Sequence, residues 1–247
     1  MVETSAEAAG APPGHKGLLT RAIGVLTSPR ATYADVAARP RALGILALTL
    51  LIIATGSVVF FSTEVGKQAM MDQQVRTLES FGVKIPDEAY QQMEERLSRP
   101  YTPFLTAATQ VVFTPVVVLV ISGIALAIFN ALLGGDATFK QIFAVVAHSG
   151  VVTALQQMFV LPLDYVRQSL SSPTSLAVFA PFLDDTSFIA RVLGGVDLFL
   201  CWWILNLAIG LAVLYKRRTG PVATGMFVTY LAIVLIVAAV RTALSGA

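Results

Sequence analysis

The chain has little charge and few of the side chains that carry chemistry. Only 13% of its 247 residues are Asp, Glu, Lys or Arg, and it has one cysteine and two histidines. Cys201 has no second cysteine to join, which excludes an internal disulfide and a cysteine-built zinc site. A formal net charge of +2, with no stretch that interleaves basic and aromatic residues, excludes the footprint of a nucleic-acid binder. His-Glu-x-x-His, Gly-x-Ser-x-Gly and a glycine-rich loop ending in Lys-Ser or Lys-Thr are all missing. No catalytic, cofactor-binding or metal-binding set is therefore expected, and the chain reads as a non-enzyme.

Charge is also absent in blocks. No charged residue lies between Arg41 and Glu64, from Pro100 to Gly135, from Gln141 to Leu163, or from Thr219 to Val240, and Val192 to Tyr215 is broken only by Asp197. Crossing about 30 Å of hydrocarbon takes roughly 20 apolar residues in a helix that rises about 1.5 Å per residue. These runs are continuous rather than alternating with period two, which selects helices over a barrel. The sequence predicts an all-α, polytopic membrane helical bundle with five transmembrane helices, spanning about 42–63, 102–133, 140–163, 192–215 and 221–243, plus short amphipathic surface helices.

The remaining segments divide the chain further. Residues 1–16 are small and polar and are expected to be a disordered tail, which leaves the first span as an uncleaved anchor. Across 17–41, Leu18, Leu19, Ala22, Ile23, Val25 and Leu26 approximate a helical stripe with Arg21 outside it, as in a helix lying in the headgroup layer. Ser28-Pro29 then opens a second short helix, Ser28 as N-cap and Pro29 at the first helical position. Within 42–244, a polar insertion at 64–101 carries two helical patterns, Met71/Val75/Leu78 and, after Gly82, a restart at Pro86-Asp87-Glu88. A hairpin on the outer surface is expected there. The uncharged stretch 168–183 contains Pro173 and Pro181 and reads as a surface or re-entrant segment.

Orientation follows from the basic residues beside the spans. Nine of the 17 lysines and arginines fall on the N-terminal side of the membrane and eight on the other, so totals do not decide it. Lys216-Arg217-Arg218 and the Arg39/Arg41 pair abut spans, whereas much of the opposite charge lies in the long insertion. The N-terminus is expected in the cytoplasm and, with five spans, the C-terminus outside. In a bacterial cell this would be the cytoplasmic, inner membrane.

Four intramembrane polar residues are candidates for function. Asp197 is the only acid within a predicted span, where a carboxylate at mid-bilayer costs roughly 2.5–3.5 kcal/mol on insertion scales. It lies six residues past Arg191, near the outer interface, where capping a helix, pairing with Arg191 or facing other helices explains it more readily than a substrate or proton role. His148 is the only histidine in a span and lacks a visible metal partner. Asn206 and Gln157, like Asn130 and Gln156, are of the type that bridges membrane helices or lines a water-filled path. Gly134-Gly135-Asp136-Ala137-Thr138 reads as a turn, with a left-handed glycine ending one helix and Asp136 or Thr138 capping the next. Pro115 is expected to bend the second span.

The order of these features resembles the Yip1 family of multi-span membrane proteins, in particular its bacterial branch. The resemblance rests on Val25-Leu26-Thr27-Ser28-Pro29-Arg30 with Tyr33, on Ile85-Pro86-Asp87-Glu88, on Gly134-Gly135-Asp136-Ala137-Thr138-Phe139-Lys140, and on Val196-Asp197-Leu198-Phe199 followed by Trp202 and Gly210-Leu211. It implies a five-span bundle with a cytoplasmic N-terminus and no residue-level mechanism. Eukaryotic members are associated with Rab GTPases, vesicle traffic and membrane shaping. They carry a long N-terminal cytoplasmic domain where this chain has a brief tail, so that biology is not carried across.

The expected function is that of a non-enzymatic integral membrane protein that organises or shapes membrane or scaffolds protein partners. Its partners would be the lipid bilayer and either further copies of itself or other membrane proteins. The alternative is a small-solute or ion transporter using Asp197, His148, Asn206 and Gln157.

Overall fold

A computed structural model describes residues 17–184 and 186–245; the expectation of a disordered tail at 1–16 lies outside the described residues. The described chain is helical, and its only β pairing is an isolated antiparallel bridge between Ser175 and Asp197. Eleven α-helices follow in order: α1 (Leu18–Thr27), α2 (Pro29–Ala38), α3 (Leu43–Phe61), α4 (Glu64–Ser80), α5 (Asp87–Ser98), α6 (Thr102–Leu126), α7 (Phe139–Ser149), α8 (Val151–Arg167), α9 (Phe188–Gly195), α10 (Leu198–Leu214) and α11 (Thr219–Ser245).

Four helical segments are long and apolar enough to cross a membrane: Leu43–Phe61, Thr102–Leu132, Phe139–Arg167 and Thr219–Leu244. They expose large apolar side chains such as Leu51, Val112, Phe113 and Ile236, as helices bathed in lipid do. The expected fifth, 192–215, is cut in two. Val192 to Gly195 ends α9, Val196 is extended, and α10 begins at Leu198 with 17 residues, about 25 Å of helix. Asp197, which interrupts the charge-free run, is the residue that starts α10.

Two other segments are less regular than the apolar runs suggest. Helix α6 continues without a break past Pro115 and widens into a π-helical turn at Ala127–Leu132. Gly134 then takes φ +68°, the left-handed conformation that closes a helix. Thr138, not Asp136, caps α7: its Oγ1 accepts from the Gln141 N–H while the Gln141 side chain accepts from the Thr138 N–H, a reciprocal capping box. At Gly150 the third predicted span breaks into α7, packed on α6, α10 and α2, and α8, packed mainly on α3.

The insertion forms the expected pair of helices, α4 packed on α3 and α11 and α5 packed on α4 and α6; the Arg241 guanidinium lies 5.1 Å from the centre of the Phe81 ring. Helices α1 and α2 form a second hairpin, and here the structure differs from expectation. Leu19 and Ile23 face outward, but Val25, Thr32, Tyr33 and Val36 are completely buried against α7 and α10. Arg21, expected outside the apolar stripe, is also buried. Its Nε donates to Asp35 Oδ2 at 2.8 Å and its Nη1 to the Arg39 carbonyl, so α2 supplies the partners that make burial tolerable.

The segments that carry Arg39 and Arg41, Lys140, and Lys216, Arg217 and Arg218 meet at one end of the bundle, its basic end. There Gln141 Nε2 donates to the Ala37 carbonyl, Tyr215 OH to Asn130 Oδ1, and Arg217 Nη2 to the Leu133 carbonyl at 2.9 Å. Four helix termini, those of α2, α6, α7 and α10, are thereby tied in pairs at this basic end.

Candidate functional site

The buried polar groups fall into three clusters. The first locks the α1–α2 hairpin to α10. Asn206 sits midway along α10, 2% exposed, with its side chain bonded on both sides: the Tyr33 hydroxyl donates to Oδ1 at 2.5 Å, and Nδ2 donates to the Val25 carbonyl at 2.8 Å. Burial pushes the Tyr33 phenol far above its ordinary pKa, so the donor stays protonated. Close approach is permitted by Gly210, one turn further along α10, where an added Cβ would stand 3.0 Å from the Tyr33 ring and 2.6 Å from Val145. A similar economy of space joins α1 to α2, because a Cβ on Gly24 would collide with Thr32 Oγ1 at 2.3 Å.

His148 lies at the end of α7 beside this hairpin, 1% exposed. Its Nδ1 is 2.7 Å from the Ala144 carbonyl, which can only accept, so Nδ1 carries the proton and Nε2 presents a lone pair. Nε2 has no hydrogen-bond partner among the described residues, and neither has Thr49 Oγ1 on α3.

The second cluster surrounds Asp197. Oδ1 accepts from the backbone N–H groups of Phe199 and Leu200 at 2.9 and 3.0 Å and from Gln156 Nε2 at 3.2 Å. Oδ2 accepts from Ser172 Oγ at 2.6 Å and Thr174 Oγ1 at 2.5 Å. The Asp197 N–H in turn donates to Tyr230 OH, which donates to the Gly195 carbonyl. One carboxylate thus caps α10 and joins it to α8, to the 172–174 loop and, through Tyr230, to α11. The segment 168–183 dips down to meet it: Thr174 and Ser175 are buried, at 7% and 5% exposure. In the third cluster, Gln157 Nε2 donates to Ser57 Oγ on α3 at 3.4 Å, and Ser57 Oγ donates to Gln110 Oε1 on α6 at 2.7 Å.

The four sequence candidates therefore do not meet in one cavity. Asn206 faces α1 and α2, Gln157 faces α3, Asp197 faces the 172–174 loop and α8, and His148 turns to its own helix. None of them lines the large groove between α6, α10 and α11. Sequence reasoning missed Arg21, Asp35, Tyr33 and Thr49. The opposite charges of Arg21 and Asp35, 14 residues apart across a two-helix turn, were the one available signal. It also placed Asp164 beyond the third span; α8 extends past it, and Asp164 is 3% exposed with Oδ1 unpartnered among the described residues. No group of three or more His, Cys, Asp or Glu side chains capable of holding a metal ion occurs among the described residues.

No curated protein and no solved structure matches the chain. A family profile, the Yip1 domain, matches residues 23–241, from the buried hairpin through to the last helix. The match covers the second half of α1 and all of α2, the Gly134–Lys140 turn and the Asp197 cap, and this membrane-embedded helical bundle belongs to the Yip1 family.

Proposed function

We propose that this protein is a non-enzymatic scaffold of the bilayer, which organises or shapes membrane through its helix packing and gathers further copies of itself or other membrane proteins. What supports this reading is the use made of its buried hydrogen bonds. Asn206, Gln157 and Asp197 each join different helices, as groups that hold a bundle together do, instead of converging on a substrate. In this reading α10 is a fifth crossing, the basic end with the N-terminus faces the cytoplasm and the C-terminus faces outward; in a bacterium the membrane is the inner one. Reporter fusions at the two ends test the topology, and finding both in one compartment overturns it. The function is tested with purified protein in liposomes, where vesicle remodelling or self-association is expected in cryo-electron micrographs and crosslinking. Liposomes that keep their shape around monomeric protein refute it.

One observation favours a second reading, a small-solute or ion carrier: the unpartnered His148 Nε2 and Thr49 Oγ1 deep between helices. That reading requires flux through proteoliposomes that falls on replacing His148 with Phe or Asp197 with Asn.

A further inference from the structure

Helix α10 packs on α11, while α6 packs on α3 and α7, and residues of all three helices line one groove, α10 along its floor and α6 and α11 along its walls. The groove encloses about 930 Å³ and is walled by side chains such as Ile121, Ile128, Trp203, Leu207, Met226 and Ile233. From Pro221 to Ile233 it follows α11 for about 18 Å, close to the roughly 15 Å depth of one leaflet's hydrocarbon. Its polar mouth lies at the basic end, where Arg217 and Arg218 line it; no carboxylate does.

The mouth is built, not merely nearby. Helix α10 ends with Lys216 at φ 51°, and the Arg217 N–H returns to the Ala212 carbonyl at 2.8 Å, which turns the chain so that Arg217 reaches across to α6. Its Nη2 donates to the Leu133 carbonyl, and Leu133 itself lines the groove. One guanidinium is thereby held over the opening by one nitrogen, with its other donors free to face an anion, and Arg218 stands beside it, exposed.

We propose that this groove binds an anionic phospholipid, one acyl chain lying along α10 between α6 and α11 and the phosphate resting on Arg217 and Arg218. The charge selects the occupant. An apolar slot that opens on two guanidiniums complements a molecule whose tail is hydrocarbon and whose head is negative, and basic pockets between membrane helices take such headgroups. A neighbouring protein helix would fill the slot but leave both arginines without an anion.

Trp203 lines the groove, so it reports its own occupant. In the full chain carrying Trp202→Phe, quenching of Trp203 by chain-brominated phosphatidylglycerol is compared with quenching by chain-brominated phosphatidylcholine in detergent. The expected result is a preference of about fivefold or more for the anionic lipid, lost in Arg218→Gln and in Arg217→Gln/Arg218→Gln. Gly225 supplies a variant that blocks the slot without disturbing the bundle: it lines the groove, and an added Cβ there meets no atom within 4 Å. Gly225→Phe is expected to elute as the parent does and to lose quenching by both lipids. Equal quenching by the two lipids, a preference that survives loss of both arginines, or no quenching by either overturns the proposal; the last outcome assigns the groove to another helix.

Discussion

The tie between Tyr33 and Asn206 decides whether the α1–α2 hairpin is part of the bundle or rests on it. In Tyr33→Phe, Asn206 Oδ1 loses its 2.5 Å donor while fully buried. A stranded buried acceptor costs about 1–3 kcal/mol, moderated in membranes, where measured interhelical bonds average about 0.6 and reach about 1.7. We expect a loss of about 1–2 kcal/mol. Asn206→Leu strands two groups, the Tyr33 hydroxyl and the Val25 carbonyl, with a predicted loss of about 2–4 kcal/mol. The double variant strands only the carbonyl, so it is expected to be more stable than the sum of the singles by about 2–4 kcal/mol. Equilibrium unfolding in mixed micelles measures the cycle. A Cys201→Ala background with Val25→Cys supplies a second readout: Val25 is completely buried, and its maleimide labelling is expected to accelerate at least about tenfold when Asn206 is replaced, in line with the predicted loss. Single losses that add to within about 0.5 kcal/mol, or labelling indifferent to Asn206, refute the packing described above.

Three further outcomes follow from particular contacts. Asp197→Ala leaves Ser172, Thr174 and Gln156 without their acceptor and removes the α10 cap, for an expected loss of about 2–4 kcal/mol, whereas Asp197→Asn keeps an acceptor and is expected to lose less than half of that; equal losses by thermal denaturation count against the carboxylate as a hub. His148→Phe removes an unpartnered nitrogen together with one hydrogen bond inside its own helix, and is expected to change stability by no more than about 1 kcal/mol; a large loss indicates a partner on Nε2. Asp184, outside the spans, accepts from the Thr186 hydroxyl and N–H, which hold its carboxyl below the usual carboxylate range. A depressed folded value means that the contribution is present above the ordinary carboxylate pKa and fades as pH falls through the lower folded one, so protection of the Thr186 amide, its exchange rate relative to the intrinsic rate at the same pH, is expected to fall only in strong acid and, in Asp184→Asn, to show no such step.

The spans were legible because lipid imposes one crude requirement, a long run without charge, and α3, α6 and α11 coincide with such runs to within a few residues. Their interruptions were harder to see. Gly150 splits α7 from α8 with no proline or charge to mark it, and the π-helical turn at Ala127–Leu132 follows from no residue type. The start of α10 is present in the sequence: Gly194-Gly195 followed by Asp197 is a helix stop and then an N-cap, in keeping with the capping reading of Asp197, but it sits inside a stretch apolar enough to pass as one span. Asp197 and Asn206 stand out in the sequence as polar residues in apolar runs, yet their partners lie in loops and helices far away in the chain, and a single sequence gives no pairing information at such separations. For the same reason Arg21 was placed outside the apolar stripe, when in fact Asp35 allows it to be buried.

The Tyr33–Asn206 contact also sets a schedule for biosynthesis. Tyr33 leaves the ribosome 173 residues ahead of Asn206, and at about 5–20 residues per second that interval lasts roughly 10–35 s. Throughout it the hairpin lacks α10, and for about the first two thirds of it α7 as well, so the Tyr33 phenol has no Asn206 to bond. A nascent protein built this way holds its α1–α2 hairpin incomplete until α10 emerges.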